Sequence, residues 1–306
     1  MMRIFISSIS SYVGSFIASH YLSLGHHVFG TYRSQSSLSD FIKHHSNCKL
    51  LCLNFTHASH VGDVFSEVKF DLVINSTGAY PTQRMTNDDV VSANYKAAYL
   101  ISTLSTRSPS YRPRLIVNFS SLSVYGDLKI DSINDSTLPS PTTLYGTSKL
   151  LSEQIIDSLI TSLDTPILHL RFPVVLGYGA HRAWLPTLLD KMLLDEPISF
   201  TNPSSFYTAC TTLESVLDLI NHNLVNILDP GSYHCPLFSL PDLSIQAIFD
   251  ILKSYTSYSR SPKILQTSSP CCSVSSDLSL FIGYNPPKTS SCIDYWLKNT
   301  HLSSNF

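Results

Sequence analysis

The chain has 306 residues, enough for one large or two ordinary domains around a sizeable core. Hydrophobic residues make up 43% and charged residues only 14%, with a net charge of -2. That balance offers no basic stripe for nucleic acid, and no apolar run is long enough to span a membrane.

The opening stretch MMRIFISSISSYVGSF carries one early arginine, but its apolar part is short and broken by serines. It reads as strand, turn and helix rather than as a signal peptide. The seven cysteines are Cys48, Cys52, Cys210, Cys235, Cys271, Cys272 and Cys292. Their number is odd and none forms CxxC, which points to reduced thiols in a cytoplasmic protein and to no bound metal. His57 and His60, three apart, are read as scattered histidines rather than ligands. Serine is the unusual residue: about 50 serines stand against 11 glycines, so serine takes some positions where glycine is expected.

Residues 2–7 (MRIFIS) read as an apolar strand. Residues 12–24 carry Val13, Phe16, Ile17, Tyr21 and Leu24 at helical spacing, and Gly25 follows as a stop. A second strand covers 27–32. Strand, helix and strand within about thirty residues open a dinucleotide-binding fold. The alternation continues with strand 49–53, a weak helix near 57–68, strand 71–75, a long helix over 87–105, strand 114–119, a helix over 143–163 and strand 166–171. Apolar strands alternating with helices predict a parallel sheet covered on both faces.

After 172 the rhythm changes. Helices over 183–194, 212–227 and 243–256 alternate with short strands near 198, 233 and 264, and the chain ends in an amphipathic IDYWLKN. The predicted fold class is α/β: a Rossmann-type doubly wound parallel sheet with a smaller C-terminal α/β substrate domain. Residues 1–172 form the first domain, with part of 206–228 returning to it, and 173–306 form the second.

The chemistry concentrates between residues 114 and 150. Leu115 to Phe119 form a buried strand ending in Ser120 and Ser121, and the following helix carries Tyr145 and Lys149. Positions i and i+4 share one helix face. A serine at the end of the preceding strand can be brought opposite them, giving a proton-transfer site in which an ammonium lowers the pKa of a phenol. A bare YxxxK is weak evidence. Tyr284 and Lys288 also match, but the two prolines between them forbid an ordinary helix.

SSLSVYG followed by LYGTSKLLSEQ resembles the extended short-chain dehydrogenases/reductases, and more narrowly the NAD-dependent epimerase/dehydratase enzymes that act on nucleotide-linked sugars. The resemblance covers residues 1 to about 228. It implies that Tyr145 is the acid/base, that Lys149 holds the nicotinamide ribose, and that Ser121 hydrogen-bonds the reacting oxygen. Tyr80 and Ser123 are implied at the substrate, as are His181 and Arg182, which could meet a diphosphate.

The resemblance also places the cofactor. The first turn, Ser8, Ser10, Ser11, Tyr12, Val13 and Gly14, stands where the family carries GxxGxxG, and only Gly14 is kept. Tyr32 occupies the usual acid position for the ribose, with Arg33 next to it, which favours the 2′-phosphate of NADP, with NAD possible. Asn54 and Phe55, then Asn75, Ser76 and Thr77, then Asn94, Phe119, Phe172 and Val174 complete the implied cofactor contacts.

No carboxylate stands at Leu122 or Ser123, where the dehydratases carry an acidic run, so dehydration is not expected. What remains is a sugar epimerase or a reductase of a keto-sugar, and Arg33, with Val174 where the resemblance would place an epimerase's asparagine, favours the reductase. Reduction of a small ketone and a non-catalytic NAD(P)-binding sensor or scaffold are the alternatives. The long helices 87–105 and 143–163 are the implied faces of a homodimer.

Overall fold

The computed structural model describes all residues except 57–64, 66, 83–84, 107–111, 127–131, 161–163, 181–182, 267–271 and 302–306. In chain order the elements are β1 (Arg3–Ser7), α1 (Tyr12–Ser23), β2 (His27–Tyr32), α2 (Asp40–His44), β3 (Cys48–Cys52), β4 (Leu72–Asn75), α3 (Asn87–Thr106) and β5 (Leu115–Ser121). There follow β6 (Ser132–Ile133), α4 (Leu144–Ile160), β7 (Pro166–Phe172), β8 (Val174–Leu176), α5 (Trp184–Leu193), β9 (Ser199–Phe200), β10 (Cys210–Thr212) and α6 (Leu213–Val225). The chain closes with β11 (Gly231–Pro236), α7 (Ile245–Ser254), β12 (Lys263–Ile264), β13 (Ser273–Val274), α8 (Asp277–Phe281) and α9 (Thr289–His301).

The chain divides into two compact units. The first comprises Met1–Gly126, Leu138–Arg171 and a returning segment, Leu219–Cys235. The second comprises Asp127–Thr137, Phe172–Asp218 and Pro236–Phe306.

The first unit is built on a seven-stranded sheet in the order β11-β7-β5-β4-β1-β2-β3. β1 pairs in parallel with both β2 and β4, so the strand order reverses there. A doubly wound sheet opens its ligand crevice at that reversal, at the carboxyl ends of the strands. Phe5, Phe29 and Val73 from the strands and Phe70 just before β4 pack with Ala97, Ile101 and Leu104 of α3 and Ile156 of α4 to form the core.

Local chemistry sets the helix ends. Ser11 caps α1, its hydroxyl accepting from the Gly14 amide. Gly25, at φ 79°, adopts the left-handed conformation that stops it. Leu24, expected on the apolar face, lies past the last turn and is exposed. Thr86 and Asp89 cap α3 reciprocally, each side chain accepting from the other's backbone amide.

In the second unit, β8 pairs with β10, β9 with β12, and β6 with β13. Leu185, Leu188, Leu189, Ile248, Phe249, Ile293 and Trp296 form its core. The short β8–β10 and β6–β13 pairs carry too few residues for a visible alternation in the sequence. Tyr284 lies outside any helix, and its hydroxyl donates to the Phe238 carbonyl at 2.7 Å. No helix among the described residues is long and apolar enough to cross a membrane.

Candidate active site

The turn after β1 is made of serine and held by serine. Ser8 takes φ 50°, the left-handed region that favours glycine. Its amide donates to Thr31 Oγ1 at 3.1 Å, and its carbonyl accepts from the Ser11 amide at 2.8 Å. The Ser8 hydroxyl shares a hydrogen bond with Thr77 Oγ1 at 2.9 Å, and the Ser11 hydroxyl donates to Ser76 at 3.3 Å. Both serine side chains are therefore drawn toward the end of β4. Glycine is retained only at Gly14, where an added Cβ would lie 2.6 Å from Ser76 Oγ and 2.9 Å from the Ser8 carbonyl oxygen. Ser10, Tyr12 and Val13 are half-buried along the same turn.

The catalytic candidates converge in the first unit. β5 ends at Ser121, whose hydroxyl accepts from the Ser123 amide and donates to Ser123 Oγ, both at 3.1 Å. The tight turn over Leu122–Tyr125 follows. Gly146 lets α4 approach this turn, since a Cβ there would lie 2.2 Å from the Ser123 carbonyl oxygen. That approach brings the Tyr145 phenol near enough to Ser121 for the hydroxyl to act on its proton affinity. Tyr80 stands over Tyr145 with ring centroids 4.6 Å apart.

One turn along α4, Lys149 is buried and donates to the Thr77 carbonyl at 2.9 Å. An ammonium has three donors, and among the described residues this is the one bond it makes. A buried cation with donors to spare suits a ligand hydroxyl.

The electrostatics correct one expectation. Burial and the neighbouring Tyr80 push the Tyr145 phenol up to about 12, with the Ser121 hydrogen bond opposing. Burial lowers Lys149 to about 8, with Glu153 opposing. Lys149 therefore does not bring the phenol down toward neutral pH. Tyr145 is half-buried, and desolvation outweighs the Ser121 contribution in the upward direction.

Other expected cofactor residues turn inward. Asn94 brackets the loop after β4, accepting from the Ala79 amide at 3.0 Å and donating to the Ala79 carbonyl and to Ser148. Phe55 belongs to the hydrophobic core. Asn54 makes a local turn, its carboxamide oxygen accepting from the Thr56 amide and hydroxyl. Phe119 is buried in β5, Tyr32 is half-buried at the end of β2, and Arg33 beside it is exposed. Phe172 and Val174 fall in the second unit, where Val174 pairs with Cys210. His181, Arg182, His57 and His60 lie outside the described residues.

A polar chain unannounced by the sequence runs across the sheet. Asn75 and Asn118 are register partners in β4 and β5. Ser7 Oγ donates to Asn75 Oδ1 at 2.7 Å, Asn75 Nδ2 to Asn118 Oδ1 at 2.8 Å, and Asn118 Nδ2 lies 3.0 Å from His169 Nδ1. His169 Nε2 lies 2.9 Å from Asp157. The Thr77 backbone amide, which can only donate, points at Asn75 Oδ1 at 3.2 Å. That one amide orients the whole chain: Asn75 donates to Asn118, Asn118 donates to His169 Nδ1, and the His169 proton sits on Nε2.

Asp157, His169 and His234 offer ligand atoms within 4.8 Å of one another, a spacing that a metal ion accepts. The proton on His169 Nε2 occupies the lone pair that such an ion would need.

A doubly wound sheet, opened by strand, serine turn and helix, defines an α/β protein of the Rossmann type. The chain belongs to the NAD dependent epimerase/dehydratase family, whose sequence profile matches residues 4–209. Comparison with curated protein sequences gave no match. Among solved structures, the Bordetella bronchiseptica enzyme WbmG in complex with NAD is similar at TM-score 0.77 and 18% identity, over 97% of this chain and 93% of that one. UDP-glucuronic acid 4-epimerase from Bacillus cereus, in complex with UDP-glucuronic acid and NAD, is similar at TM-score 0.76 and 18% identity, over 97% and 98%. At such identities the likeness is one of fold.

Proposed function

We propose that this chain exchanges hydride between a nicotinamide dinucleotide held by its first unit and a carbon of a nucleotide-linked sugar. The observation that carries the reading is Tyr145 one helix turn from the buried Lys149 on α4, with Gly146 packed against the turn that Ser121 opens. When bound, the dinucleotide supplies and accepts the hydride. Tyr145, protonated at neutral pH, donates its proton to a sugar oxygen that gains charge as its carbon is reduced, and takes it back in reverse. Ser121 orients that oxygen. The spare donors of Lys149 take a ribose hydroxyl of the dinucleotide. The turn from Ser8 to Gly14 and the start of α1 receive its phosphates.

Epimerisation with a retained NAD is the favoured outcome, because the similar solved structures include a UDP-sugar 4-epimerase bound to NAD. A second reading, net reduction of a keto-sugar with NADP, rests on Arg33 and on the absence of an acid at Tyr32. Sugar dehydration is disfavoured, because the turn that holds Ser121 and Ser123 carries no carboxylate. Tyr95 and Tyr99 stack on an exposed face of α3, which supports a homodimer through α3 and α4.

Titration with NADH and NADPH, followed by nicotinamide fluorescence, tests the reading. NAD that co-purifies, with UDP-sugar epimerisation abolished by Tyr145→Phe, is the expected result. Tighter NADPH with keto-sugar reduction supports the second reading. Binding of neither dinucleotide overturns both and leaves a scaffold.

A further inference from the structure

Below the catalytic face, α4 carries two more acids at one-turn spacing, Glu153 and Asp157. Glu153 is fully buried and receives an Arg171 fork, Nε at 3.1 Å and Nη2 at 2.8 Å. His234, from β11, places Nδ1 3.0 Å from the same Glu153 oxygen and Nε2 3.4 Å from Asp157. Its ring stacks on His169 at 4.7 Å and 11°. Ser120 donates to Glu153, and Tyr125 accepts from Arg171 at 2.7 Å.

The charges divide cleanly. The Asn75–Asn118 chain places an amide donor on His169 Nδ1 and leaves Nε2 to donate to Asp157. Facing His234 are the Glu153 and Asp157 carboxylates from α4 and the Arg171 guanidinium and the His169 ring from β7. Two anions meet two cations only if His234 is protonated. Burial and the Arg171 guanidinium, its Nη2 3.2 Å from His234 Nδ1, disfavour that proton, but hydrogen bonds to Asp157 and Glu153 outweigh them and raise the imidazole to about 9. Glu153 is the one charged group shown to act on Lys149, one turn toward the catalytic end of α4.

We propose that His234 is a positioning residue for the reaction: its imidazolium, clamped between Glu153 and Asp157, cancels part of the negative field that Glu153 exerts along α4 and so sets the basicity of Lys149. The role rests on the reading of Lys149 as catalytic, but the coupling itself does not. Removing one cation from beside a buried carboxylate makes the potential at Lys149 more negative. Lys149 then holds its proton to higher pH.

The test needs no substrate. In protein labelled with 13C at lysine Cε, the Lys149 resonance is assigned by its loss in Lys149→Met and followed against pH. The expected result is a midpoint below those of exposed lysines, raised by about 0.5–1 pH unit in His234→Gln, a shift of the size one partly screened charge exerts. Glu153→Gln combined with His234→Gln removes the source of the field and returns the midpoint toward or below its starting value. Should His234→Gln not fold, Asp157→Asn loosens the clamp on the same imidazolium, and the Lys149 titration then becomes shallower in the range where His234 loses its proton, because each lost cation strengthens the hold on the other's proton. Superimposable Lys149 curves in all foldable variants overturn the proposal, even with a lowered Tm. A shifted curve in a protein that binds neither NADH nor NADPH keeps the coupling and rejects the catalytic reading instead.

Discussion

Gly146 packs against Ser123 so closely that a single added methyl group would sit 2.2 Å from the Ser123 carbonyl oxygen. The neighbouring position is Tyr145, so this contact sets how near the phenol comes to Ser121. The obstacle is backbone, which cannot swing aside as a side chain could. Gly146→Ala is expected to push α4 away from the turn and cut turnover by about a hundredfold or more, as angstrom-scale misplacement does. Substrate kinetics with circular dichroism on the same sample separates this from unfolding, and unchanged kcat would refute the close approach.

Ser8 tests the cost of a left-handed serine. Replacing it with glycine relieves strain of about 1 kcal/mol but returns flexibility of similar size to the unfolded chain. Ser8→Gly should therefore stay within about 1 kcal/mol of the parent in urea denaturation, while the β-branched Ser8→Val loses about 2 kcal/mol or more. Equal stability of the two variants would contradict the observed φ.

Ser11 caps α1 with its own hydroxyl, on the amide that a bound phosphate would otherwise reach. Ser11→Ala should cost about 1 kcal/mol of stability. Dinucleotide affinity, read by fluorescence titration, should stay equal or improve, because the Gly14 amide is released. A loss of affinity above tenfold would mean that the hydroxyl itself holds the ligand.

The His169 tautomer is fixed at a distance by the Thr77 amide. Two-bond 1H–15N spectra should show protonated Nε2 and bare Nδ1 on His169 near neutral pH. Asn118→Asp places an acceptor against Nδ1 and should convert the ring to the doubly protonated form. A wild-type ring with its proton on Nδ1 would reverse the orientation deduced for the chain and reopen the trio to metal.

His234 gives stability a pH dependence of known sign. Its folded pKa, about 9, stands above its ordinary 6.5, so its stabilisation is complete below about pH 6.5 and is lost as pH rises through 9. Lys149 acts in the opposite sense, because its folded pKa is lowered to about 8 from 10.5 and the penalty it carries is relieved as pH rises. Comparison with His234→Gln isolates the first effect. The Tm difference between the two proteins should be largest near pH 6 and shrink toward pH 9.5, and a constant difference would rule out the imidazolium.

Local pattern carried much of the outcome. Apolar strands at 27–32 and 166–171, helical spacing along 87–105 and 143–163, and Gly25 as a stop all follow from residues within a few positions of one another, which sequence periodicity records directly. Tyr145 and Lys149 were legible for the same reason: a four-residue spacing on a helix needs no tertiary contact to put two side chains on one face. Only the fold could decide what surrounds them. Glu153, Arg171 and His234 are joined across 18 and 81 positions of chain, and Asn75, Asn118 and His169 meet only because their strands lie side by side. Whether the phenol is raised or lowered is a matter of burial, which exists only once the sheet and α4 have closed around it. Gly146 looks like any helix glycine until the Ser123 carbonyl arrives against it, and its role is the space it leaves empty.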